Sequence, residues 1–259
     1  MKKTLAILFA VLFAFGVFSV CAYAVNSADV IVTISDKDGK LAVAGQTVSV
    51  TDIDKDGALT VNDTLYCAHE KFYSGGAAAG YGTSKTQQWG LGLTKLWGTA
   101  NGGSYGYYVN NASAWALTDT VKSGDYVCAF IYTDTDNFSD TYTYFEPDTA
   151  TVKAFDSFTL TLYKLSYDSD WKLVKAPVAN AFITIDGKKT PYITDENGKV
   201  TIAVGSTGNH TISADVKSGT AIVSPVCRVT ASSGDVLSAV TYCFRFVIAW
   251  LTNFTKVLF

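Results

Sequence analysis

The chain belongs to the α+β class and is mostly β, with a β-grasp-like domain, then an Ig-like β-sandwich, then an amphipathic C-terminal helix. Three observations lead there. Short alternating runs rich in Val, Thr, Tyr and Phe recur between Gly and Asp turn signals. In the first half, only residues 61–73 space apolar residues as a helix does, with Val61, Leu65, Ala68 and Phe72 on one stripe. The last two dozen residues are apolar except for one polar helical stripe.

At the start, Lys2 and Lys3 precede an apolar run over 5–20, and Ala22-Tyr23-Ala24 is a small-x-small cleavage site. Residues 1–24 are therefore expected to be a secretory signal peptide, cleaved before Val25. The remainder is long enough for two domains of ordinary size, placed at 25–145 and 146–232, with the tail at 233–259. Export permits disulfides, and Cys67, Cys128, Cys227 and Cys243 remain after cleavage; their pairing stays open. Net charge is -3 with no basic run, which argues against nucleic acid as a partner.

Residues 30–34 and 47–50 alternate and flank turn residues, which predicts a β-hairpin. Residues 52–63, DIDKDGALTVND, follow. Asp52, Asp54, Asp56, Thr60 and Asp63 fall at positions one, three, five, nine and twelve of a calcium loop. Gly57 occupies the sharp turn at position six, and Ala58 at seven offers a backbone carbonyl. A hard dication needs six to eight oxygens, and alternating carboxylates supply them only if glycine lets the chain turn. One structural calcium ion is expected. The loop resembles those of dockerins, the cellulosome adaptor modules, in which Asp closes position twelve. Dockerins carry two such loops in tandem. Here Asp36-Lys37-Asp38-Gly39 lacks the later ligands, and Asp134, Asp136 and Asp140 lack the glycine.

After the helix, His69 is expected to be a half-buried packing residue, since no second His or carboxylate pair accompanies it. Residues 74–82, SGGAAAGYG, are expected to be a flexible loop, 91–97 regular structure, 104–109 a Tyr-rich strand and 126–132 the strongest strand of this half. Hairpin, helix, then strands describe a mixed sheet curled over one helix.

The series GSYGYYVN at 103–110, then Trp115, then KSGDYV at 122–127, ending at Tyr132, resembles a bacterial surface family. That family is of unknown function and is related to the C-terminal β-grasp domain of transcobalamin. The resemblance implies the fold over residues 30–132; cobalamin-like ligands enter only by that distant analogy. Along the last strand Val127, Ala129 and Ile131 should face the helix, leaving Tyr126, Cys128, Phe130 and Tyr132 on the outer face. Such a face needs a cover. The covers considered are the second domain, with 140–226 packing across the face, a partner, or a ligand such as sugar or another ring, bound by Tyr105, Tyr107, Trp115, Tyr126, Phe130 and Tyr132.

The second half alternates at 158–165, meets an Asp186-Gly187 hairpin turn after 182–185, and continues through 192–194, 200–204 and 210–214. The runs TDENGKVTI at 194–202 and GNHTISA at 208–214 resemble Ig-like and carboxypeptidase-regulatory-like modules of bacterial surface proteins. His210 is expected to be structural. In the tail, Arg245 lies well inside the apolar segment, and a central Arg costs about 2.5–3.5 kcal/mol in a membrane span. A helix lying in the membrane interface is the expectation.

Two histidines leave no room for a zinc protease motif, and there is no G-x-S-x-G elbow or Walker loop. The expectation is a secreted, cell-surface, membrane-associated calcium-binding protein that binds a surface ligand or protein without catalysis. Alternatives are capture of a cobalamin-like or carbohydrate ligand, and a dockerin-like scaffold role.

Overall fold

In the computed structural model the described residues are 27–248 apart from 89, 101–103, 171, 217–218, 235–238 and 245–246. The leader expected at 1–24 lies outside them, as does the end of the tail. Within the tail, 239–244 and 247–248 are helical. Among the described residues no helix is long and apolar enough to cross a membrane.

The first unit begins with β1 (Ala28–Ser35) and β2 (Leu41–Val50), paired antiparallel as the alternation requires. Asp36 closes their turn by accepting the Asp38 and Lys40 N–H groups on Oδ1. α1 (Val61–Phe72) and the short α2 (Gly76–Gly80) follow, then the hairpin β3 (Gly82–Thr86) and β4 (Gly90–Lys95). β5 (Tyr105–Val109), β6 (Ala112–Ser113) and β7 (Tyr126–Ile131) complete the unit. The sheet order is β2-β1-β7-β5-β6, with β1 and β7 parallel and every other neighbour antiparallel. This is the β-grasp arrangement. Val61, Leu65 and Ala68 of α1 share a core with Val30, Val32 and Ile34 and with Val127, Ala129 and Ile131, the strand face expected to meet the helix.

Residues 74–82, expected to be a flexible loop, instead hold α2 and the first residue of β3. Small side chains make this possible. The Tyr73 ring lies where a Cβ on Gly80 would stand, 2.5 Å from it, so the short helix folds back onto Tyr73.

The second unit holds β8 (Thr143–Glu146), β9 (Thr149–Lys153), β10 (Phe158–Tyr167), β11 (Leu173–Pro177), β12 (Ala181–Ile185), β13 (Lys188–Ile193), β14 (Lys199–Ile202), β15 (Gly208–Val216) and β16 (Cys227–Ser232). One sheet centres on β10, which pairs with β8, β11 and β14. The other runs β13-β12-β15-β16-β9. Leu160, Leu162 and Ile202 of the first meet Ile183, Ile212 and Val229 of the second, so the two sheets enclose one sandwich core. Asp186 and Gly187 both take positive φ, 51° and 73°, in the tight turn read from the sequence. Because β8 pairs with β10, Thr143–Phe145 belong to the sandwich and not to the first unit.

The units meet across an aromatic seam. Cys128, Phe130, Tyr142, Leu165 and Val223 are buried there, with Tyr108, Tyr126, Tyr132 and Tyr144 packed against them. Tyr108 and Tyr142 stack at 3.8 Å and 7°, and the Tyr142 hydroxyl donates to Asn111 Oδ1 at 2.8 Å.

Candidate metal centre

The loop between β2 and α1 is built from side chains that satisfy its own backbone. Asp52 accepts the Lys55 N–H (2.7 Å) and the weaker Asp56 N–H (3.3 Å) on Oδ1 and the Gly57 N–H (2.9 Å) on Oδ2. Gly57 stands at φ +89°, where a side chain would be strained although no atom blocks it. The bond from Gly57 leads the causes that hold the Asp52 carboxyl below its ordinary range.

At the other end Thr60 and Asp63 form a capping box on α1. Thr60 Oγ1 accepts the Asp63 N–H at 3.3 Å, and Asp63 Oδ2 accepts the Thr60 N–H at 2.8 Å and its hydroxyl at 2.6 Å. Asp63 Oδ1 takes the Ile53 N–H at 3.0 Å, which ties the loop's start to the helix. The remaining free N–H groups of the first turn are met from far along the chain: Val61 donates to Asp119 O and Asn62 to Leu117 O. Asp63 is fully buried.

Three carboxylates converge as a result. One oxygen from each of Asp52, Asp54 and Asp63 lies within 4.8 Å of the others, so the group could hold a metal ion. The donors are all oxygens, the set a hard cation prefers. Loss of hydration, followed by repulsion from Asp56, Asp63 and Asp52, raises the Asp54 carboxyl above its ordinary range. No ion pair among the described residues relieves that repulsion. A cation among these oxygens would relieve it, so the residues fit the group.

Asp56 stands outside this set; its Oδ1 accepts the Ala58 N–H at 2.9 Å. Thr60 Oγ1 serves the helix cap. The six nominated ligands thus divide into three that converge, two committed to turn and cap, and Ala58, placed only by its N–H. The supporting segment at 117–121, which also pairs Val121 N–H with Leu59 O, was missed by sequence reasoning. Contacts between residues 55 to 62 positions apart leave no local pattern.

His69 is fully buried, more so than expected. The Trp97 N–H donates to its Nε2 at 3.0 Å, so the ring proton sits on Nδ1 and is donated to Leu65 O at 2.6 Å. Tyr81, Trp97 and Tyr73 surround the ring at centroid distances of 5.1, 5.2 and 6.0 Å. The residue is a packing element. His210 has a structural place too: Nδ1 lies 2.7 Å from Asp186 Oδ2 and Nε2 3.0 Å from Ser206 O, joining two loops.

The six residues considered for a ring-binding platform do not share a surface. Tyr126, Phe130 and Tyr132 lie in the seam with the second unit, and Phe130 is buried. Tyr105 and Tyr107 pack on the opposite, helix-side core, because they pair with Ile131 and Ala129. Trp115 stands alone at 92% exposure. The cover this face needs is the second unit, which corrects the ligand platform. All four described cysteines are free. Neither protein-family models nor curated proteins give a match to this chain.

Proposed function

We propose that the chain is an exported surface protein that binds a partner without catalysis, its first unit stiffened by one calcium ion. The convergence of Asp52, Asp54 and Asp63 at the mouth of α1 carries this reading. Asp52 and Asp54 belong to the loop and Asp63 to the helix, so an ion held by all three would join the two elements. Calcium suits this better than a transition metal, since the donors are carboxylate oxygens on a flexible loop. The leader-like start and the apolar tail at 233–259 support export and residence at a membrane interface. Two β units joined by a packed seam make a stiff support for such binding.

Calorimetric melting of the full chain, with calcium and with chelator, tests the ion. At about 100 times the dissociation constant, calcium should add roughly 2.7 kcal/mol to stability. Asp54→Ala should abolish the difference, whereas Asp56→Ala should keep most of it, because Asp56 stands outside the converging set. Melting of the native chain that is indifferent to chelator would overturn the reading.

A further inference from the structure

A second site lies between the two units, away from the acidic loop. β2 of the first unit leans over the outer face of the sheet β13-β12-β15-β16-β9. A cleft of about 410 Å³ remains there, lined by Gln46, Thr47, Asn209, Thr211, Arg228 and Thr230 among others. No carboxylate lines it.

Arg228 is the unusual member. It is half-buried, yet its guanidinium makes no ion pair or hydrogen bond with any described residue. A guanidinium whose stem is buried and whose head meets no described anion has its fork of donors open to one. The stem is held in place. Gly45 sits at φ +59°, and a Cβ there would come within 2.9 Å of Arg228 Cδ and 3.0 Å of Val226 Cγ1. Only a bare backbone at that point of β2 lets the arginine stem pass beneath it. The backbone oxygen of Thr47, a lining residue, accepts from Lys71 Nζ at 2.9 Å. Around Arg228 the lining supplies neutral groups: the Gln46 and Asn209 amides and the Thr211 and Thr230 hydroxyls, with Thr230 already donating to Asn209 Oδ1 at 3.2 Å. Asp186, which accepts the Thr211 N–H, is engaged by His210 Nδ1.

We propose that this cleft binds the oxyanion group of a small ligand, a carboxylate or a phosphate, with Arg228 as the charged anchor and the amides and hydroxyls as neutral partners. A guanidinium presents a planar fork that matches both groups in bidentate fashion. The site does not depend on the calcium reading, since it shares no residue with the acidic loop.

The test is a nuclear magnetic resonance titration of the full chain with inorganic phosphate and, separately, with succinate, at constant ionic strength set by chloride. Saturable shifts of the Gln46, Asn209 and Thr230 amides are expected with at least one probe, and the probe that binds tells phosphate from carboxylate. Arg228→Gln keeps most of the stem and should weaken that binding about tenfold or more while melting with the native chain. Absence of saturable shifts with both probes overturns the proposal, as does undiminished binding in Arg228→Gln. Should that variant fail to fold, Arg228→Lys decides, because it keeps the charge and loses the fork. Weakened binding is then expected, and affinity equal to the native chain's overturns the proposal.

Discussion

The proton on His69 has a fixed address, and that makes the residue sensitive to acid. Burial lowers its pKa from the ordinary 6.5, because the charged ring would lose hydration while Nε2 is already accepting the Trp97 N–H. The unfolded chain therefore binds a proton at a higher pH than the folded one. Stability from this group is complete above 6.5 and declines as pH falls from 6.5 through the folded value. Melting temperature should drop over that window, and His69→Phe, which cannot titrate, should flatten the dependence. Thiol chemistry gives a second expectation. Burial pushes both Cys128 and Cys227 up to about 12, so neither offers a thiolate at neutral pH. A thiol reagent should label exposed Cys243 in the native chain and reach Cys128 and Cys227 only after unfolding. At this scale the sequence was informative where a residue's role depends on close neighbours. Asp52 and Asp63 could be placed by spacing, whereas the burial of His69 depends on Trp97, 28 positions away.

Among the elements, α1 was readable because spacing, cap and acidic first turn agree. Thr60→Ala should cost about 1–2 kcal/mol, measured by denaturant melting, since it removes the acceptor for the Asp63 N–H. α2 was not readable: alanine between glycines carries no amphipathic stripe, and its fold depends on the Tyr73 ring. β8, β9, β11 and β16 also went unread as strands, being short segments whose pairing partners decide their conformation. The pair Gly106 and Phe130 shows how β5 and β7 depend on each other. The two residues are cross-strand neighbours, and a Cβ on Gly106 would stand 2.2 Å from Phe130 Cζ. Gly106→Ala should therefore cost about 1–3 kcal/mol through overpacking. A change in melting below half a kcal/mol would contradict that packing.

For the molecule as a whole, the seam between the units decides whether the chain melts once or twice. Tyr142 contributes a stacked ring to Tyr108 and a hydrogen bond to Asn111, both across that seam. Tyr142→Ala should cost about 3–5 kcal/mol at the junction and split a single calorimetric transition into two. An unsplit transition at an unchanged temperature would show the units to be independent of this contact. The two-unit plan was legible from strand spacing, and the outer face of β7 was correctly marked as needing a cover. The second domain was named as a cover, and Tyr142, Leu165 and Val223 supply it; which side chains would do so was not legible, because none carries a sign of its distant partner. Pairing of β1 with β7 has a further effect. As the chain emerges from its N-terminus, the opening hairpin must wait for Tyr126–Ile131 before its open flank is closed. Until then it is a bare edge that any other strand, including one from a neighbouring nascent chain, can occupy.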